Sequence, residues 1–139
     1  MLEILAVDDD ELVRLDAVMQ LSPVGRVAAV GSGAEALEKV RNALDEGRGF
    51  DVILMDVLMP ARSGLQAVND LVSLFNERRL PLEKRPRIIM LSNVEERDTM
   101  IDALYACGAD HYITKPLDAG KFIAALAELG LAAPLDGSS

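Results

Sequence analysis

Five short strand-like runs, four of them rich in apolar residues and each followed by a stretch with helix-like spacing, limit what this chain can become. The runs are LEILAV at 2–7, RVAAV at 26–30, VILM at 52–55, RIIML at 87–91 and DHYIT at 110–114. VILM is apolar throughout, which fits a strand covered on both faces. The spacing predicts helices over 11–21, 34–44, 65–78, 95–107 and 118–129. In the first, Leu12, Val13, Leu15, Val18, Met19 and Leu21 form the expected apolar stripe. The third should bury Leu65, Val68, Leu71, Val72 and Phe75, the fourth Met100, Ile101 and Leu104, and the last Phe122, Ile123, Leu126 and Leu129. Asp10 reads as the cap of the first helix, and Ser32 with Glu35 as a capping box on the second. Repeated strand–helix units imply right-handed crossovers and a parallel sheet between layers of helices. The fold class is therefore α/β, with five parallel strands. The 139 residues suit one domain, placed at 1–130, with 131–139 as a flexible tail or the start of a linker.

Composition narrows the function. Hydrophobic residues make up 50% and charged residues 27%, the balance of a soluble globular protein. No apolar run is long enough to span a membrane, and the first residues do not read as a signal peptide. The one cysteine, Cys107, excludes an internal disulfide and suits a cytoplasmic location. A net charge of −9 argues against nucleic-acid binding by this chain and favours a partner with a basic patch. The segment at 78–87, RRLPLEKRPR, holds two prolines and a cluster of bases, and reads as an exposed surface insertion.

The strand ends carry the chemistry. Asp8 and Asp9 follow the first run, Asp56 follows the third, Ser92 the fourth and Lys115 the fifth. A parallel sheet brings its carboxyl ends to one edge, where ligands of open α/β sheets gather. Pro60 should end the third strand soon after Asp56. Three carboxylates brought together repel and raise one another's pKa, a cost that a hard divalent cation relieves. Mg²⁺ fits, since it takes one or two carboxylates, several waters and a phosphate. A carboxylate beside such a cation can attack phosphorus and become an aspartyl phosphate. That transfer needs in-line positioning and charge neutralisation, which Mg²⁺ and the Lys115 ammonium can supply. The plainer readings are helix capping for Asp8 and Asp9, a turn lysine for Lys115 and a cap for Ser92. Whether the Lys115–Pro116 peptide is cis is left open by the sequence.

The pieces ILAVDDDE, GSGAEAL, DVILMDVLMPARSG, IIMLSN and GADHYITKP, in this order and spacing, resemble the CheY-like receiver domain of two-component response regulators. The resemblance runs from Leu2 to about Gly130. It implies a flavodoxin-like three-layer sandwich with strand order 2-1-3-4-5 and helices on both faces. It implies that Asp56 takes a phosphoryl group from the phosphohistidine of a sensor histidine kinase. Asp8, Asp9, Asp56 and the backbone carbonyl of Leu58 would hold Mg²⁺, and Lys115 would pair with the phosphate. Ser92 would move to bond a phosphate oxygen and Tyr112 would swing inward. The surface of the fourth helix, fifth strand and fifth helix would then change for a downstream effector domain or protein. Such a chain is a phosphoacceptor that assists its own phosphorylation and dephosphorylation, rather than an enzyme. Phosphorylation-dependent homodimerisation through that surface is a further expectation.

Some positions depart from the family's pattern. Asp10 stands where Glu is frequent, and Ser92 where Thr is commoner. Asn93 replaces a small residue and could crowd the approach to Asp56 or bond the phosphate. Apolar Leu58 and Val94 should hinder an attacking water and lengthen the phosphoryl lifetime. Two other functions remain in view. A Mg²⁺-dependent aspartyl-phosphate phosphatase would want a second acid two residues after Asp56, where Leu58 stands. A phosphate-independent interaction module would not need the set Asp8, Asp9, Asp56 and Lys115. A flavodoxin-like cofactor binder fails, because three carboxylates occupy the place of a phosphate-cradling loop.

Overall fold

In the computed structural model of the chain, the described residues are 2–57, 59, 63–93 and 107–131. Their elements are β1 (Leu2–Val7), α1 (Glu11–Leu21), β2 (Gly25–Val30), α2 (Gly33–Asp45), β3 (Val52–Asp56), α3 (Gly64–Glu77), a 3₁₀ turn (Leu82–Lys84), β4 (Arg87–Ser92), β5 (His111–Thr114) and the C-terminal helix α4 (Ala119–Glu128). The helix expected over 95–107, with Met100, Ile101 and Leu104, falls almost wholly outside the described residues. So do Leu58, Val94 and the tail from 132.

The five strands form one parallel sheet in the order β2-β1-β3-β4-β5, as the resemblance implies. Alternation along each strand divides the core in two. Leu5, Val7, Ile53, Met55, Ile88 and Met90 face α2 and α3, where they meet Ala36, Val40, Val68, Leu71 and Phe75. Ile4, Ala6, Val52, Leu54, Ile89 and Ile113 face α1 and α4, against Ala17, Leu21, Phe122 and Leu126. Each large side chain taken fully from water contributes about 1.5–3 kcal/mol. Two such layers hold the strand ends in fixed register.

The helix starts are capped as their sequences dictate. The Asp10 carboxylate accepts from Leu12 N–H at 2.9 Å, and Ser32 Oγ accepts from Glu35 N–H at 3.1 Å. The Glu35 carboxylate accepts from Gly31 N–H at 3.0 Å, one residue short of the reciprocal bond of a capping box. Ser63 and Gln66 close a complete box on α3.

The expected stripe of α1 is corrected. Ala17 and Leu21 are buried, whereas Leu12, Leu15 and Met19 are 75%, 59% and 70% exposed. At 100° per residue the exposed three share one side of the helix, opposite the buried pair. The apolar residues run round most of the helix, and the sheet covers only the face that carries the small Ala17. On α3 and α4 the expected core positions Val68, Leu71, Phe75, Phe122 and Leu126 are buried, while Leu65, Val72, Ile123 and Leu129 pack only partly.

Candidate functional site

The sheet register assembles the site. Val7 pairs with Met55, so Asp8 follows one step beyond, beside Asp56. The Asp8 N–H is anchored to Val30 O at 3.1 Å, and the Val57 N–H to Leu91 O at 3.2 Å. Backbone bonds to neighbouring strands thus hold both acids at the sheet's carboxyl edge. Asp8 and Asp56 are buried and Asp9 is exposed, and one carboxylate oxygen from each lies within 4.8 Å of the others.

Lys115 completes the cluster from β5's end. Its Nζ lies 2.9 Å from Asp56 Oδ1. The Lys115–Pro116 peptide is cis, and Lys115 N–H donates to Ser92 O at 2.7 Å.

The electrostatics follow from this crowding. Burial pushes the Asp56 carboxyl above the usual aspartate range; the Lys115 ammonium opposes the rise and the Asp8 charge adds to it. Burial likewise raises Asp8, opposed by the Asp10 N–H and by Lys115 and reinforced by Asp9. Among the described residues, Asp8 Oδ2, Asp56 Oδ1 and Ser92 Oγ are buried without a hydrogen-bond partner. Three carboxylates whose oxygens lie this close, with Asp56 Oδ1 meeting only the Lys115 ammonium, are a donor set for a hard cation. The acids therefore fit Mg²⁺, the ion that the sequence suggests.

Other expected site residues stand further off. Ser92 is buried at the end of β4, and by alternation it faces the α2 and α3 side with Ile88 and Met90. It makes no hydrogen bond to Asp56. Tyr112 is 38% exposed on β5, its ring tilted against His111 with centroids 6.1 Å apart. Asn93 is exposed just past β4. Leu58, expected as a carbonyl ligand, and Val94 lie outside the described residues.

Two supporting residues were not singled out from the sequence. Arg14 Nη1 donates to the Asp8 carbonyl at 2.9 Å, fixing the loop that carries the acids. Its signal was a base one turn into the helix that follows an acid cluster. Gly64 N–H donates to Val57 O at 2.8 Å, and a Cβ there would lie 2.2 Å from Asp56 O. Only glycine lets the start of α3 come this close to the reactive strand end.

Known proteins resemble this chain in sequence and fold. The sequence profile described as the response regulator receiver domain matches residues 4–127. The response regulator GacA of Pseudomonas viridiflava is 32% identical over 130 residues, an alignment covering 91% of this chain and 54% of that protein. The chain thus spans about half that relative's length. Among solved structures, the chemotaxis response regulator CheY4 of Vibrio cholerae superposes with a TM-score of 0.73 at 27% identity, over 93% of this chain and 98% of that one. The receiver domain of sensor histidine kinase PA1611 from Pseudomonas aeruginosa PAO1, solved with a magnesium ion coordinated in its active site cleft, gives a TM-score of 0.70 at 26% identity, over 91% and 95% of the two chains.

Proposed function

The chain belongs to the response regulator receiver domain family, and from that premise we propose that Asp56 is its phosphoacceptor, loaded by a sensor histidine kinase. The observation that carries this reading is the buried Asp56 carboxylate, set 2.9 Å from Lys115 Nζ and beside Asp8 and Asp9. In the transfer, the phosphorus–nitrogen bond of a phosphohistidine breaks as an Asp56 oxygen bonds to phosphorus. Lys115 neutralises charge on the phosphoryl oxygens, and the sheet edge fixes the line of approach. Asp8, Asp9 and Asp56 would hold Mg²⁺, which when bound neutralises the remaining charge.

The exposed side of α1 supports a docking role for the donor protein. Leu12, Leu15 and Met19 lie on the helix capped by Asp10, immediately after the acids. The phosphate on Asp56 adds roughly −1.5 to −2 charges and strong acceptors. Ser92, whose buried hydroxyl lacks a partner among the described residues, is the group that the new acceptors would recruit. The response passes to β5 and α4, with a downstream effector domain or protein as its reader. In this reading the chain works in the cytoplasm and assists its own phosphorylation and dephosphorylation without acting on other substrates.

The test is acetyl phosphate with Mg²⁺, read by intact mass on the wild type and on Asp56→Asn. The wild type should gain one phosphoryl group and the variant none. A gain that persists in Asp56→Asn, or no gain in the wild type, removes the assignment. Sustained turnover of small phosphomonoesters would favour the phosphatase reading instead.

A further inference from the structure

A second charged feature lies at the opposite edge of the sheet, where the strands begin. The end of α2, the loop to β3 and the loop before β4 enclose a cavity of about 490 Å³. That volume suits a small organic ligand. Leu44, Phe50 and Leu80 supply its apolar wall. Lys84, Arg85 and Arg87 line it as well, and none of the three has an ion-pair partner among the described residues. Arg85 Nε donates to Leu80 O at 2.9 Å, which fixes the plane of its guanidinium at the rim. Arg48 also lines the cavity but is paired with Glu46. Two acids line the cavity too: exposed Glu83, and Asp51, which has one carboxylate oxygen committed to Glu3 N–H at 2.8 Å. Over the segments 45–51 and 78–87 there are six bases and four acids. This is a local positive excess in a chain of net charge −9.

We propose that this cavity binds a small organic phosphate, with its dianion on Lys84, Arg85 and Arg87 and its apolar or planar part against Phe50 and Leu80. Guanidinium groups match phosphate oxygens in geometry as well as in charge. The flanking Gly47 and Gly49 leave open approach, since a Cβ at either would meet nothing within 4 Å. The cavity shares no residue with the Asp8, Asp9, Asp56 and Lys115 cluster, so this assignment stands independently of the phosphoacceptor reading.

The probe is AMP, titrated into isotope-labelled protein in EDTA and followed by amide NMR, with inorganic phosphate and adenosine as separate arms. Binding should move the amides of Gly49, Lys84 and Arg85, and AMP should bind at least about tenfold more tightly than either fragment. Lys84→Glu should weaken AMP by about tenfold or more, while Lys39→Glu, the same charge change on exposed α2, should not. Arg87→Gln gives an independent loss without charge reversal. Unmoved amides, equal affinity for inorganic phosphate, or equal loss in Lys84→Glu and Lys39→Glu would each overturn the assignment.

Discussion

Replacing Asp8 with asparagine should stabilise the metal-free fold and remove its response to magnesium. Asparagine keeps an oxygen for the Asp10 N–H, now 2.9 Å from Asp8 Oδ1. It deletes one of three negative charges whose oxygens lie within 4.8 Å of one another. At that separation two unit charges repel by roughly 3 kcal/mol in an effective dielectric of about 20. The exposure of Asp9 and the opposing Lys115 charge reduce this, leaving an expected gain of about 1–2 kcal/mol. For a domain of this size that is a rise in Tm of about 3–6 °C.

The sign with pH follows from the raised pKa values of Asp8 and Asp56. Between the usual aspartate value and the raised one, the folded state holds more protons than the unfolded state. Wild-type stability therefore falls as pH rises through that window, and the penalty persists above it. Below the usual aspartate value both states are protonated and the penalty vanishes. The advantage of Asp8→Asn should be full above the raised value and close as the solution is acidified through it. Mg²⁺ at ten times its Kd should stabilise the wild type by about 1.4 kcal/mol and the variant by far less. Urea unfolding followed by circular dichroism, in EDTA and in Mg²⁺, measures all of this. A variant less stable than wild type in EDTA, or one that Mg²⁺ stabilises equally, would refute the reasoning.

Gly64→Ala should cost about 3 kcal/mol in urea unfolding, because its Cβ would press to 2.2 Å from the Asp56 carbonyl; a cost near zero would mean that α3 can back away freely. Ser92→Ala removes a buried hydroxyl with no partner among the described residues. Its stability should therefore stay within about 1 kcal/mol of wild type, while beryllofluoride-induced NMR shifts in β5 shrink. Leu15→Ser, at a position 59% exposed, should change stability by less than about 0.5 kcal/mol. It should leave acetyl phosphate labelling intact while slowing transfer from a phosphohistidine protein, as quenched-flow labelling would show.

The sheet was readable because its signals are local and repeated. Runs such as VILM can be covered on both faces, and four of the five are followed by a residue of distinct chemistry. Once the strands are parallel, Asp8 and Asp56 fall on one edge by register alone, and both strands place them on the α1 and α4 side. The burial of α1 was not readable in the same way. Its apolar residues surround the helix, so periodicity could not say whether the sheet would take the face of Ala17 and Leu21 or that of Leu12, Leu15 and Met19. Arg14 escaped because its partner is a backbone carbonyl, so its place after the acid cluster was the one hint and no partner side chain marked it. The cavity at the other edge escaped because its lining joins two segments far apart in sequence, Leu44 to Asp51 and Leu80 to Arg87.

The position of β4 decides how occupancy of Asp56 can reach Tyr112. β4 lies between β3 and β5, with Asp56 paired to Leu91 and Leu91 to Ile113. Lys115 comes two residues past that level, so its side chain must reach back across the end of β4 to meet Asp56 at 2.9 Å. A group inserted between them has to displace the lysine or draw the Ser92 hydroxyl round from the α2 and α3 side of the sheet. Either movement pulls on one backbone bond, Lys115 N–H to Ser92 O, which at 2.7 Å closes the last rung between β4 and β5. Tyr112, three residues earlier on a four-residue edge strand, is then coupled through backbone rather than side chains. The coupling is therefore expected as changed hydrogen exchange at the Lys115 amide on beryllofluoride binding, retained in Tyr112→Phe and reduced in Ser92→Ala. Exchange at that amide that does not change when Asp56 is occupied would exclude this route.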